Sequence, residues 1–256
     1  MDRSTSYEPR TYRNICSGGD LLSFRVVLSE TDLWIRAERD LSREALRATR
    51  AVRRKIEGYI RRDEKFLRIL KPYPAAEDAP QVVRKMAQAA DKAGVGPMAA
   101  VAGAVAEYVG RDLLRFSDQV IVENGGDIFI RSRHPRNVGV FAGASLLSNK
   151  LALRIAPEQT PLGICTSSGT VGPSKSFGRT DAVVVLSRST ALADAVATAA
   201  GNRVESPGDI EGAMDFALTI KGVMGIVIVL GNRLGVRGEV ILNPFQNAQS
   251  AIRNPK

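Results

Sequence analysis

Between Leu41 and Lys71 the chain sorts its residues onto two opposite stripes, and that sorting constrains the fold more than any other feature. Ala45, Val52, Ile56, Tyr59, Ile60, Phe66, Leu67 and Leu70 recur at helical spacing on one side. Arg43, Arg47, Arg50, Arg54, Arg61, Lys65 and Arg68 recur on the other. A helix patterned in this way must bury one face and leave the other in water. The pattern predicts one long helix, capped by Asp40 or Ser42 and ended before Pro72 and Pro74, where proline and the residue preceding it resist helical geometry.

What that helix can pack against is written on either side of it. Leu21 to Leu28 and Asp32 to Ala37 read as two strands about the turn Ser29-Glu30-Thr31, a hairpin. Downstream, Gln81 to Ala93 reads as a helix closed by Gly94, and Pro97 opens another that runs to about Leu114. Its first half, Pro97 to Ala104, is nearly all small residues, so a ligand or a neighbouring element can approach its backbone closely. Strands are expected at Gln119 to Glu123, Ile128 to Arg131, Val138 to Phe141, Leu151 to Ile155, Leu162 to Thr166 and Ala182 to Leu186. A helix bearing Asp194, another near Ile210 to Ile220, and a closing hairpin from Val223 to Leu242 complete the chain. Aromatic residues make up only 5% of the sequence while aliphatic ones are plentiful, which suits an α/β or α+β architecture.

Charge and cysteine content narrow the function classes. The net charge is +9, and the basic stripe supplies much of it. That stripe is either a solvated face or a surface for an acidic or phosphate-bearing partner. Nucleic acid is disfavoured, because no aromatic residues are interleaved with the charges for base stacking. Cys16 and Cys165 are far apart and form no CxxC pair, so a reducing compartment is expected. The polar stretch 1–20 lacks the apolar core of a secretory signal. The longest apolar run, Val223 to Leu230, is far short of the ~20 residues of a membrane span. A cytoplasmic location without a membrane segment is the expectation.

Several residues can carry chemistry. Asp194 and Thr198 stand four apart on one helix face, where they present two hard oxygens suited to magnesium or calcium. The alternative is structural: Asp complements the helix dipole, and Thr bonds back to its own helix. Asn124-Gly125-Gly126-Asp127 is a tight turn between strands. Thr166-Ser167-Ser168-Gly169 follows a strand and offers hydroxyls and backbone amides to a phosphate, or to its own turn. It lacks the spacing of a Walker A loop. His134, the sole histidine, reads as a surface-loop residue, which excludes a multi-histidine metal site. Cys165 reads as a small side chain filling space beside a turn.

Taken in order, the small-residue helix start, Asn124 to Asp127, Ser167-Ser168-Gly169 and Ala193-Asp194-Ala195-Val196-Ala197-Thr198 resemble the ApbE-like superfamily, and more closely its cytosolic ApbE-related branch. The similarity covers about Gly94 to Asn202. It implies an α+β fold, T-fold-related, with antiparallel sheets packed against helices in a single unit over 1–256. Within that unit, 1–20 is a polar leader, 21–71 the hairpin and long helix, and 81–242 the core carrying the site. It also implies a magnesium-dependent flavin transferase that cleaves FAD and attaches FMN to a threonine of a protein target. By resemblance, Asp194, Thr198 and a main-chain carbonyl near Pro97 would hold Mg2+. Asn124, Gly125, Gly126, Asp127, Thr166, Ser167, Ser168 and Gly169 would line the site for FAD or FMN. Two features depart from the family pattern. Its lysine falls near Ala100 here, and its histidine-bearing segment is replaced by Thr170 to Asp181, where Lys175, Arg179 and Asp181 are the candidates to take over. A non-catalytic flavin- or nucleotide-binding protein, or a basic module, is therefore the alternative.

Overall fold

A computed structural model describes residues 19–169 and 178–245. Residues 1–18 of the leader, Cys16 among them, and most of the segment that replaces the histidine-bearing stretch, including Lys175, lie outside the described residues. The order of elements is β1 (Leu22–Leu28), β2 (Thr31–Ala37), α1 (Ser42–Arg62), α2 (Lys65–Arg68), α3 (Gln81–Ala93), α4 (Val101–Leu113), β3 (Val120–Asn124), β4 (Asp127–Arg131), β5 (Arg136–Gly139), β6 (Leu151–Ile155), β7 (Leu162–Ser167), β8 (Ala182–Ser187), α5 (Thr190–Gly201), α6 (Ile210–Thr219), β9 (Val223–Leu230), β10 (Arg233–Gly238) and β11 (Leu242–Pro244).

Eight strands form one antiparallel sheet in the order β1-β2-β3-β4-β7-β8-β9-β10, and β11-β6-β5 form a second. The helices cover one face of the large sheet and the small sheet covers part of the other. This arrangement explains the runs in the sequence. Strands buried on one face alternate, whereas Val183-Val184-Val185-Leu186 and Ile226-Val227-Ile228-Val229 are apolar throughout because both of their faces are covered. Val183, Val185, Ile226 and Ile228 point into the helix-side core with Cys165 and Phe129. Val184, Leu186, Val227 and Val229 point into the strand-side core with Ile130, Leu153 and Ile155. The α+β fold with antiparallel sheets is thus as expected.

The long helix divides. α1 stops at Arg62; Asp63 leaves helical geometry at φ −141° while its N–H still reaches the Tyr59 carbonyl at 3.0 Å. The one-turn α2 then brings Phe66 edge-on to Tyr59, with ring centroids 5.1 Å apart. Phe66 is buried by this bend, and Leu67 and Leu70, expected on the buried stripe, are exposed. No side chain caps α1; Asp40 instead accepts the Ser42 N–H at 2.9 Å. Gly94 ends α3 in the left-handed region at φ 73°, as its position predicts. Pro97 opens a 3-10 turn, Pro97–Ala100, before α4 proper begins. The closing hairpin is β9 and β10 alone; β11 crosses to the small sheet and pairs with β6.

No helix among the described residues is long and apolar enough to cross a membrane. His134 is an exposed loop residue.

Candidate functional site

The candidate residues converge where α4 and α5 lie across the ends of β4 and β7. β3 and β4 are joined by Gly125 and Gly126 with φ of 67° and 105°, a pair of positive values that glycine adopts without the clash a Cβ would bring. The turn places Asn124 opposite Asp127. The register of β4 with β7 then brings the start of β4 beside Thr166, and a Cβ on Gly126 would lie 3.6 Å from the Thr166 carbonyl oxygen. Asn124 faces the other way along the chain: its side-chain amide donates to the Ala102 carbonyl at 3.0 Å and ties the turn to α4.

α5 is built to be enclosed. Its sequence is apolar nearly all round, and almost every residue is buried among α3, α4, α6, β7 and β8. Ser189 caps it by accepting the Leu192 N–H. Thr190 at its first turn is wedged between two glycines. A Cβ on Gly103 would come within 2.5 Å of the Thr190 carbonyl oxygen, and one on Gly163 within 2.4 Å of Thr190 Cα. Of the two readings of the small-residue stretch, close packing is therefore the one realised at Gly103, where the neighbour is α5.

Asp194 sits one turn further along. Its carboxylate accepts the Gly103 N–H at 2.8 Å, and the Ala102 amide as well. This is neither the first-turn dipole contact nor a self-cap: Asp194 holds the start of a different helix. Thr198 shares its face, one turn on, and both are half-buried. Pro97 is buried in the 3-10 turn that packs against α5. The main-chain groups bonded to Asp194 are those of Ala102 and Gly103, beyond that turn.

Asp127 is buried and points to the same side. Burial, and then the charge of Asp194, push its carboxyl well above the usual carboxylate range; Cys165 and the Thr166 N–H act in the opposite direction as hydrogen-bond donors. Burial pushes the Asp194 carboxyl up to about 7, against the pull of its two amide donors. Among the described residues, no lysine or arginine helps to hold either one ionised. Cys165 is fully buried; its single S–H has two acceptors in reach, the Thr190 carbonyl at 3.3 Å and the Asp127 carboxylate, and burial raises its pKa. The space-filling reading of Cys165 agrees with that environment, since a thiol held protonated is a poor nucleophile.

Ser167 ends β7, and the Gly169 N–H donates to the Thr180 carbonyl at 2.9 Å, which ties the end of this strand to the residues that lead into β8. Asp181 is committed elsewhere: its carboxylate accepts the Gly231 N–H at 2.7 Å in the β9–β10 turn. Arg179 is exposed. One residue was not anticipated from the sequence. Glu107 on α4 accepts the Thr190 N–H at 2.8 Å and pairs with Arg111 at 2.9 Å, so it anchors the start of α5. Its place four residues after Gly103, on the same helix face, was the available signal.

The donor set suits a hard divalent cation. Among the described residues, no three His, Cys, Asp or Glu side chains are arranged as a metal cage. What exists is a pair of neighbouring carboxyls, Asp127 raised in part by the charge of Asp194, with the Thr198 hydroxyl one turn from Asp194. Mg2+ is commonly held by one or two carboxylates together with ligand phosphates, and such a pair fits that mode.

A family model described as AbpE bacteria matches residues 13–222. A UPF0280 protein of Methanocella arvoryzae is 44% identical over 190 residues, covering 74% of this chain and 77% of that protein. A UPF0280 protein of Methanocaldococcus jannaschii is 36% identical over 222 residues, covering 84% and 90%. Among solved structures, the flavinyl transferase ApbE of Pseudomonas stutzeri aligns with a TM-score of 0.57 at 13% identity, over 85% of this chain and 94% of that one. The ApbE protein of Thermotoga maritima aligns at 0.56 and 12% identity, over 86% and 97%. These likenesses show the fold, while the sequence matches show the family: the chain belongs to the UPF0280 proteins, described as AbpE bacteria, on an ApbE-like fold.

Proposed function

We propose that the chain binds a pyrophosphate-bearing flavin nucleotide, FAD, together with Mg2+, at the junction of the β3–β4 turn, the end of β7 and α5. The observation that carries this reading is the nearness of Asp127 to Asp194, whose charge it feels, with no basic side chain among the described residues to offset the two carboxyls. Such a pair is costly unless protonated or bound to a cation. Asp194, Thr198 and a main-chain carbonyl near Pro97 are the proposed protein ligands of the metal. Asn124, Gly125, Gly126 and Asp127 on one side, with Thr166, Ser167, Ser168 and Gly169 on the other, are the proposed flavin-site residues.

Mg2+ bound to a pyrophosphate neutralises charge that develops as the phosphoryl bond breaks. The residues of this chain contribute position. Asn124 and Asp194 both tie down the first turn of α4, so the turn and α5 are held in fixed relation to one backbone segment. If the bond is broken, FAD would yield AMP and an FMN group passed to a protein hydroxyl or to water.

A second reading, retention of FAD without chemistry, is favoured by two observations. Ala100 stands near the position of the family's lysine, and Asp181 is occupied by Gly231. One experiment separates the two. Calorimetric titration of purified protein with FAD, with and without Mg2+, is followed by chromatography of the mixture. Magnesium-dependent binding with release of AMP supports transfer or hydrolysis. Binding with intact FAD supports retention. Absence of binding under both conditions removes the flavin reading.

A further inference from the structure

On the other side of the contact between α4 and α5 lies a second cleft, of about 840 Å3, bounded by α3, α4, the β8–α5 link and the α6–β9 link. It does not open onto Asp194: the backbone of Gly103 rests against Thr190 and Asp194 so closely that no Cβ would fit between them. We propose that this cleft is a separate binding site for a small phosphate ester with a planar or apolar body, of the size of a nucleoside monophosphate.

Its charge makes the case. Lys85, Lys92, Arg111, Arg188 and Lys221 line it, against Glu107 and Glu239. Arg111 is neutralised by Glu107. Among the described residues, the Arg188 guanidinium donates only to the main-chain carbonyls of Glu158, Gln159 and Pro161, which fix its position and bring no opposing charge. Lys85, Lys92 and Lys221 have no ion pair among the described residues. Four unbalanced cations thus face one unpaired carboxylate, Glu239, from three separate segments of the chain. Unpaired basic residues also occur on the exposed face of α1, such as Arg43 and Arg50, but those stand on a convex helix surface, whereas these four converge on one concavity. A concave surface with unbalanced positive charge concentrates anions, and lysine and arginine are the usual phosphate binders.

The apolar part of the ligand has a surface to rest on. Leu192, Val223 and Met224 line the cleft, together with the half-buried ring of Tyr108. The Tyr108 hydroxyl has no hydrogen-bond partner among the described residues. A free inorganic anion would use the cations alone, whereas an ester carrying a ring would use both. The volume falls within the usual range of small-molecule sites, ~300–1,000 Å3.

The test uses AMP and inorganic phosphate as probes, in calorimetry on the whole protein at low ionic strength with chelator present, so that no metal contributes. AMP should bind, and more tightly than inorganic phosphate. The double variant Lys85→Ala/Lys221→Ala should weaken AMP binding at least tenfold and Tyr108→Ala about threefold, while Asp194→Asn leaves it unchanged. The proposal is overturned if AMP fails to bind at millimolar concentration, or if phosphate binds as tightly as AMP. It is also overturned if the double lysine variant binds AMP normally, or if Arg43→Ala/Arg50→Ala on α1 weakens binding equally, which would mark general attraction to a basic protein. The inference does not rest on the flavin reading: loss of FAD binding in Asp194→Asn with AMP binding kept would separate the two sites.

Discussion

Two polar groups, each with a buried member, lie on opposite sides of the large sheet, and they are solved in opposite ways. At the mouth of the strand-side core, Arg136 is 4% exposed, yet its guanidinium is fully engaged. It pairs with Asp20 at 2.5 and 2.8 Å, and donates to Ser132 at 2.8 Å and Gln119 at 3.0 Å. On the helix side, Asp127 lies close enough to Asp194 to feel its charge, with amide and thiol donors but no cation among the described residues. The first group is complete within the protein. The second is balanced only by protonation or by something added. Completeness is what a structural network requires, and the missing charge is what sets a binding site apart from one.

Breaking the complete network should have the larger effect. Arg136→Met leaves Gln119, Ser132 and Asp20 without their shared donor and should cost about 3 kcal/mol, in the range for disrupting a buried ion pair, read as a lower urea midpoint at unchanged slope. Next comes the wall behind the acidic pair. Gly103→Ala forces a Cβ to 2.5 Å from the Thr190 carbonyl and should cost about 2 kcal/mol. It should also loosen FAD retention, because Asp194 is bonded to that same residue. A variant as stable as the parent would show that α4 and α5 can separate freely.

The two groups should also respond to pH with opposite sign. Arg136, through its hydrogen bond, lowers the Asp20 carboxyl from 3.8 to about 2, so the stability it contributes is complete above pH 4 and disappears as pH falls through about 2. Asp194 is raised from 3.8 to about 7, so the folded chain holds more protons than the unfolded one between those values. Metal-free stability should therefore fall as pH rises from about 4 to about 7. Asp194→Asn should flatten that slope, stabilise the metal-free protein at pH 8 and abolish Mg2+-dependent FAD binding. Urea titrations from pH 2 to 9 read both trends, and an unchanged slope in the variant would mean that Asp194 is not the group responsible. The smallest effect is expected at Cys165, which touches the acidic pair without serving it. Cys165→Ala should cost about 1 kcal/mol and leave ligand binding intact; lost binding would instead give the thiol a role.

Much of this arrangement is visible in the residues themselves. The strand that becomes β6 is bounded to the residue, Gly94 marks the end of α3, and Asn124 to Asp127 forms the hairpin turn that asparagine and glycine favour. These features are local, set by backbone preference and alternation. The remainder depends on partners far along the chain. Nothing near Asp63 announces that the helix breaks so that Phe66 can fold back onto Tyr59. Nothing near Leu242 says that it prefers β6 to a continued hairpin. Asp194 could be picked out by its spacing from Thr198, but its bond to Gly103 and its repulsion of Asp127 arise only when three segments meet. Arg136 gave no sign, because its partner Asp20 lies in the polar stretch before β1.

The pairing of β2 with β3 has a consequence for how the chain reaches its native state. Ala37 lies beside Val120, about eighty residues later, and contacts so distant in sequence slow the search for them. The first hairpin must therefore wait, its β2 edge unsatisfied, until α1, α3 and α4 have been made and β3 arrives. During synthesis this hairpin emerges well before the strand it must pair with, and in that interval an unpaired strand edge is available to any passing chain.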